Sequence, residues 1–195
     1  MNINWDVTIR FDPNSVLPST QHGIPVPTYG NYGGPNYSAG EEGGKTPEFG
    51  TADYLAHPPK DALDQLFYAH DLAYQHLSDG KATVQDTFDA DAKLLEGMYL
   101  LTQNEPALFA NDPDALLYEG FATLGILGKI ETTPGESGYL QTTLLPADQQ
   151  LLAAAAIAAI PNFQGGLAET PGNESRSLHG ALHVFEAHFG DLLLA

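Results

Sequence analysis

The chain has no cysteine among its 195 residues, so no disulfide framework holds it and its compartment cannot be read from thiol chemistry. Basic residues are scarce: 7 Lys and Arg stand against 25 Asp and Glu, a formal net charge of −18. A nucleic-acid binder needs cationic contacts to phosphates, and this composition withholds them. Tight binding to strongly anionic membranes is disfavoured for the same reason. Cation binding and solubility are favoured. The N-terminus lacks a basic region followed by an apolar one, so no signal peptide is expected. No apolar run reaches the ~20 residues of a membrane span, so no transmembrane segment is expected. The longest run, Leu151 to Ile160, is alanine-rich, stops at Pro161 and reads as a buried helix. The length suits one domain with an appended lobe, and it suffices to bury a core without staples.

What is present begins with two helical patterns. Lys60 to Leu77 contains neither proline nor glycine, and Pro58 and Pro59 precede it. Leu63, Phe67, His70, Tyr74 and Leu77 recur at the helical period and form one face. His70 therefore occupies a core position. Asp71 is rotated about 100° round the helix and looks toward a neighbouring loop. From Ala82 to Gln103 a second stripe reads Val84, Phe88, Asp91, Leu95, Met98. Here too a charged residue takes a core position, which is costly without a partner. Helices joined by a turn as short as Ser78 to Lys81 are expected to pack antiparallel, bringing His70 to Asp91. A carboxylate on one ring nitrogen fixes the tautomer and leaves the other nitrogen as a base. In an arbitrary helical protein such a pair is more often structural. Asp71 beside it and a glycine-rich loop upstream tip the balance toward chemistry.

That loop, Tyr29 to Ser38, holds Gly30, Gly33, Gly34, Pro35 and two asparagines. It exposes backbone groups and permits positive φ angles. Calcium takes six to eight oxygens, often backbone carbonyls with carboxylates, and the loop with Asp71 meets that need. It is not a nucleotide phosphate loop, because no Gly-Lys-Ser/Thr ends it.

These residues resemble the phospholipase A2 family. Asp64, His70, Asp71 and Tyr74 stand at the spacing of Asp-x-Cys-Cys-x-x-His-Asp-x-Cys-Tyr, with Leu66, Phe67 and Ala73 at the cysteine positions. Tyr29-Gly30-Asn31-Tyr32-Gly33-Gly34 resembles the calcium loop of the secreted enzymes, and Tyr32 to Tyr37 resembles the cysteine-free parvoviral type. Asn36 and Tyr37 stand where the secreted loop ends in glycines. Ala90-Asp91 is similar to the acid on the second family helix. The likeness covers residues 29–103. It implies that His70 is the general base for a water attacking the sn-2 ester, that Asp91 orients His70, and that Tyr74 bonds Asp91. It further implies that Asp71 and the carbonyls of Tyr32, Gly34 and Asn36 hold Ca²⁺, with the N–H of Gly34 at the oxyanion. The implied partner is a phospholipid at a membrane or micelle surface.

The flanks are plainer. Ile3, Trp5, Val7, Ile9 and Phe11 alternate with polar residues, a half-buried strand whose best internal partner is Tyr139 to Leu145. Residues 12–59 read as a long irregular connection. Asp112-Pro113 reads as a cap and first-turn proline of a helix with Leu116, Leu117, Phe121, Leu124 and Leu127. A last helix is expected near Ser177 to Leu194, with His179, His183 and Glu186 on one face; that spacing suits zinc, but a solvated face is the better expectation.

The expected architecture is mainly α. Two antiparallel active-site helices follow a glycine-rich calcium loop, with an N-terminal strand and arm (1–28), a catalytic core (29–103) and a helical C-terminal lobe (104–195). The expected function is calcium-dependent sn-2 hydrolysis of glycerophospholipids. The alternative is a non-catalytic calcium- or lipid-binding module on the same scaffold.

Overall fold

The computed structural model describes residues 3–12, 17–18, 24–77, 82–133, 135–137, 146–170, 178–183 and 185–187. The protein is mostly helical, with two small antiparallel sheets. Strand β1 (Ile3–Asp12) lies between β2 (Leu17–Pro18) and β3 (Ile24–Tyr29). Its register with β3 runs from Ile3 opposite Tyr29 to Phe11 opposite Ile24. β1 thus pairs with the segment just before the glycine-rich loop, and the expected partner, Tyr139 to Leu145, lies outside the described residues. Pro25 and Pro27 cannot donate ladder bonds, and β3 is accordingly an edge strand. Ile3 is buried and Trp5 packs against the core.

The described part of residues 12–59 carries more regular structure than the irregular connection expected there. They hold β2 and β3, the short hairpin β4 (Tyr37–Ser38) and β5 (Glu41–Glu42), and helix α1 (Ala52–Ala56).

Helix α2 (Ala62–Leu77) starts where Asp61 accepts the Asp64 N–H at 2.8 Å. Helix α3 (Val84–Asn104) starts at a capping box between Thr83 and Asp86. Leu66 meets Gly97 while His70 and Tyr74 meet Asp91, so the two helices run in opposite directions. Their connection, 78–81, lies outside the described residues.

A short α4 (Pro106–Asn111) leads to α5 (Pro113–Thr132), capped by Asp112 with Pro113 in the first turn as expected. Helix α6 (Pro146–Glu169) does not stop at Pro161 but continues through it. Its segment Ala147–Glu169 is long and apolar enough to cross a membrane by length and composition, and 44% of its apolar window is buried within the fold. The burial is mostly against α5. A Cβ on Gly120 would stand 2.6 Å from the Ala159 carbonyl, and one on Gly166 would stand 2.6 Å from the Leu117 Cβ. Backbone-to-backbone approach of this kind requires glycine at both crossing points. Phe121, Phe163 and Phe185 form a cluster of edge contacts with centroids 5.9 to 6.3 Å apart, tying the last described helical residues to α5 and α6.

Candidate active site

The site is assembled where the glycine-rich loop crosses the start of α2. Asp64 is fully buried, and its carboxylate accepts backbone N–H groups of Asn31, Tyr32 and Lys60 at 2.8 to 2.9 Å. Burial pushes this carboxyl up to about 6 despite the three bonds. Gly30, at φ +56°, lies directly against it, and a Cβ there would overlap the carboxylate. Tyr29 and Gly33 exchange N–H bonds at 2.7 Å, closing the turn. Asp64 carried no role in the sequence reading beyond its place in the motif. Its position shows that it anchors the loop to the helix bearing His70 and Asp71. Downstream, Thr46 and Gln75 exchange bonds at 2.8 and 2.9 Å and fasten the loop's exit to α2.

Asn36 is left-handed, at φ +56°, a conformation asparagine tolerates. Tyr37 escapes that demand: it opens β4 and buries its side chain.

The two helical stripes meet as expected, except that Val84, the first residue of the second stripe, is exposed. His70 Nε2 is 2.8 Å from Asp91 Oδ1, and the Tyr74 hydroxyl donates to the same oxygen at 2.7 Å. Asp91 has no exposed surface. Burial alone would raise its carboxyl, but the His70 hydrogen bond and the Lys129 ammonium hold it below the usual range. Burial would lower His70, yet the neighbouring carboxylates of Asp71 and Asp91 prevail and keep the ring above its usual value. An ionised carboxylate only accepts, so Nε2 carries hydrogen and the neutral ring has its lone pair on Nδ1. That nitrogen lies on the side of Asp71, 3.9 Å from Oδ1.

Asp71 is largely buried, and burial raises its carboxyl. Its Oδ2 is buried with no hydrogen-bond partner. Such an oxygen is expensive to leave unpaired. It lines the same cavity as Tyr32, Gly34 and Asn36. The carbonyls of Gly34 and Asn36 accept the N–H groups of Tyr37 and Gly43 at 3.2 and 2.6 Å, and each keeps a second lone pair. An orphaned carboxylate oxygen in a cavity that the loop residues also line fits a hard, oxygen-seeking cation such as Ca²⁺. Among the described residues no group of three or more His, Asp or Glu converges as a metal site. His183 is exposed and pairs with Glu186 at 3.3 Å, and the zinc arrangement expected as a rival does not form there.

The cavity measures about 620 Å³. His70, Asp71 and the loop form one wall; Phe121, Ala122, Gly125 and Ile126 of α5 form the other. Tyr118 of α5 packs tilted against Tyr29 and edge-on against Phe67 with centroids 5.2 and 5.6 Å apart, joining loop, α2 and α5. The site therefore draws on residues beyond 103.

Two of these residues escaped the sequence reading. Lys129 of α5 donates to Asp91 Oδ2, to the Tyr74 hydroxyl at 2.8 Å and to both oxygens of Glu136 at 3.3 Å. A signal existed: Lys129 is the only Lys or Arg between Lys93 and Arg176, set in an apolar helix of a very acidic chain. Glu136 is buried beside it, and nothing local marks it.

The chain matches no family model, no curated protein and no solved structure.

Proposed function

We propose that the protein is a calcium-dependent phospholipase A2, hydrolysing the sn-2 ester of glycerophospholipids. The observation that carries this reading is the His70–Asp91 pair on the wall of an apolar cavity, with the orphaned Oδ2 of Asp71 beside it. Nδ1 of neutral His70 takes a proton from the water that attacks the ester carbonyl. The same proton then passes to the leaving alkoxide of the lysophospholipid. Asp91 and Tyr74 hold the ring, and the Asp91 charge stabilises the imidazolium that forms. A base so positioned contributes about 10²–10⁴-fold. The N–H of Gly34 is the candidate donor to the developing oxyanion. Asp71 and the carbonyls of Tyr32, Gly34 and Asn36 would hold Ca²⁺. When bound, the ion supplies a Lewis acid at the ester oxygen and a template for the substrate. The α5 wall offers an apolar surface to an acyl chain and keeps bulk water from the base.

The test is fatty-acid release from phosphatidylcholine labelled separately at each acyl position, with calcium and with EGTA, beside His70→Asn. Calcium-dependent sn-2 release that the variant loses is the expected result. Release that survives His70→Asn would refute the mechanism. Calcium binding by folded protein without any release would favour the non-catalytic binding module.

A further inference from the structure

We propose that Lys129 is a positioning residue of the His–Asp pair, holding Asp91 so that His70 keeps its Nδ1 free. The proposal rests on the reading of His70 as the base. Asp91 is fully buried and must find donors for both oxygens. Oδ1 is already shared by His70 and Tyr74, while Lys129 is the donor at Oδ2. An ammonium has three N–H groups. Here they serve Asp91, the Tyr74 hydroxyl and Glu136, and Tyr74 passes its own hydrogen on to Asp91. Lysine, tyrosine and aspartate thus form a closed ring of hydrogen bonds. Glu136 accepts from the same ammonium through both oxygens, at 3.3 Å.

Without Lys129, the buried Oδ2 loses the ammonium that is its donor among the described residues. The carboxylate has two remedies. It can turn about its Cβ–Cγ bond, which breaks the bond to His70 or Tyr74. It can take up a proton and become a donor, which asks Nε2 of His70 to accept and sends the ring hydrogen to Nδ1. Either remedy spoils the base without touching substrate.

A stabilising salt bridge in a sealed core would have the same partners, so the test must separate structure from positioning. Lys129 lines the cavity and keeps 24% of its side chain exposed. A small amine can therefore reach the space that Lys129→Ala opens. With ¹⁵N-labelled histidine, the ring nitrogens of His70 are assigned by their loss in His70→Asn and read at a pH where the ring is neutral. The wild-type ring should carry its hydrogen on Nε2. In Lys129→Ala, folded by circular dichroism, that signature should give way to mixed tautomers, and ethylammonium, but not ethanol, should restore it. Hydrolysis should fall about 10–100-fold in kcat with KM unchanged, and ethylammonium should restore this too. Lys129→Met keeps the packing of the stem and should show the same tautomer change should the alanine variant not fold. An unaltered wild-type tautomer in the folded variants, or equal rescue by ethanol, would overturn the proposal. If the wild type releases no fatty acid while the tautomer responds as stated, the phospholipase reading fails and the role of Lys129 stands.

Discussion

Glu119 makes α5 and α6 sensitive to pH. Its carboxylate is almost completely enclosed, accepting from the Thr123 hydroxyl at 3.2 Å and from the Asn162 amide at 2.8 Å. Burial pushes the carboxyl from its ordinary 4.5 up to about 7, and the two bonds draw it back only in part. The unfolded chain releases this proton first, near its ordinary value; the folded chain holds it until about 7. Between the two the native state binds more protons than the unfolded state. Stability from this group is therefore fully present at low pH and is lost as pH rises through that window. The gap corresponds to on the order of 3 kcal/mol. Glu119→Gln removes the ionisation while keeping both contacts, because the amide can accept from Asn162 and donate to the Thr123 oxygen. Urea unfolding from about pH 4 to about pH 8.5 reads the difference directly. The variant should match the wild type at the acid end, gain steadily across the window and level off about 3 kcal/mol more stable above it. Parallel stability curves for the two proteins would refute the argument. So would a variant less stable at every pH, which would mean the carboxylate is worth more as a bonding partner than its burial costs.

Other predictions concern the glycines and the site. Gly30→Ala combines a left-handed backbone with overlap of the Asp64 carboxylate and should cost about 2–4 kcal/mol in urea unfolding, with faster amide exchange at Asn31 and Tyr32. Gly120→Ala should cost about 1–3 kcal/mol by forcing α6 away from α5. Gly125→Ala, where a Cβ meets nothing within 4 Å, should instead stabilise by about 0.5–1 kcal/mol; the same sign at both positions would contradict the packing described. Asp71→Asn should weaken calcium binding in titration calorimetry, while His70→Asn should leave it nearly intact, and equal loss in both would remove Asp71 from its assigned role.

The helical class, the stripes of α2 and α3 and the meeting of His70 with Asp91 were legible in the residues alone. A helix repeats every 3.6 residues, so a face can be read from spacing, and a charge on that face demands a partner on the facing one. The cap of α5 was legible for a similar reason, since Asp112 and Pro113 act on their own neighbours. Pairings across long stretches of chain were not. The short range of periodicity does not say that β1 takes the strand before the loop, or that Asp64 grips the backbone of Asn31 and Tyr32. Pro161 reads as a stop by local rules, yet α6 continues past it where glycines let α5 and α6 come together. Lys129 stands 38 residues from Asp91, on a helix whose pattern marks it only as an oddity. Its partner is settled by packing: α5 closes over the helix pair, and the cation comes to rest at the Asp91 oxygen that His70 and Tyr74 leave free.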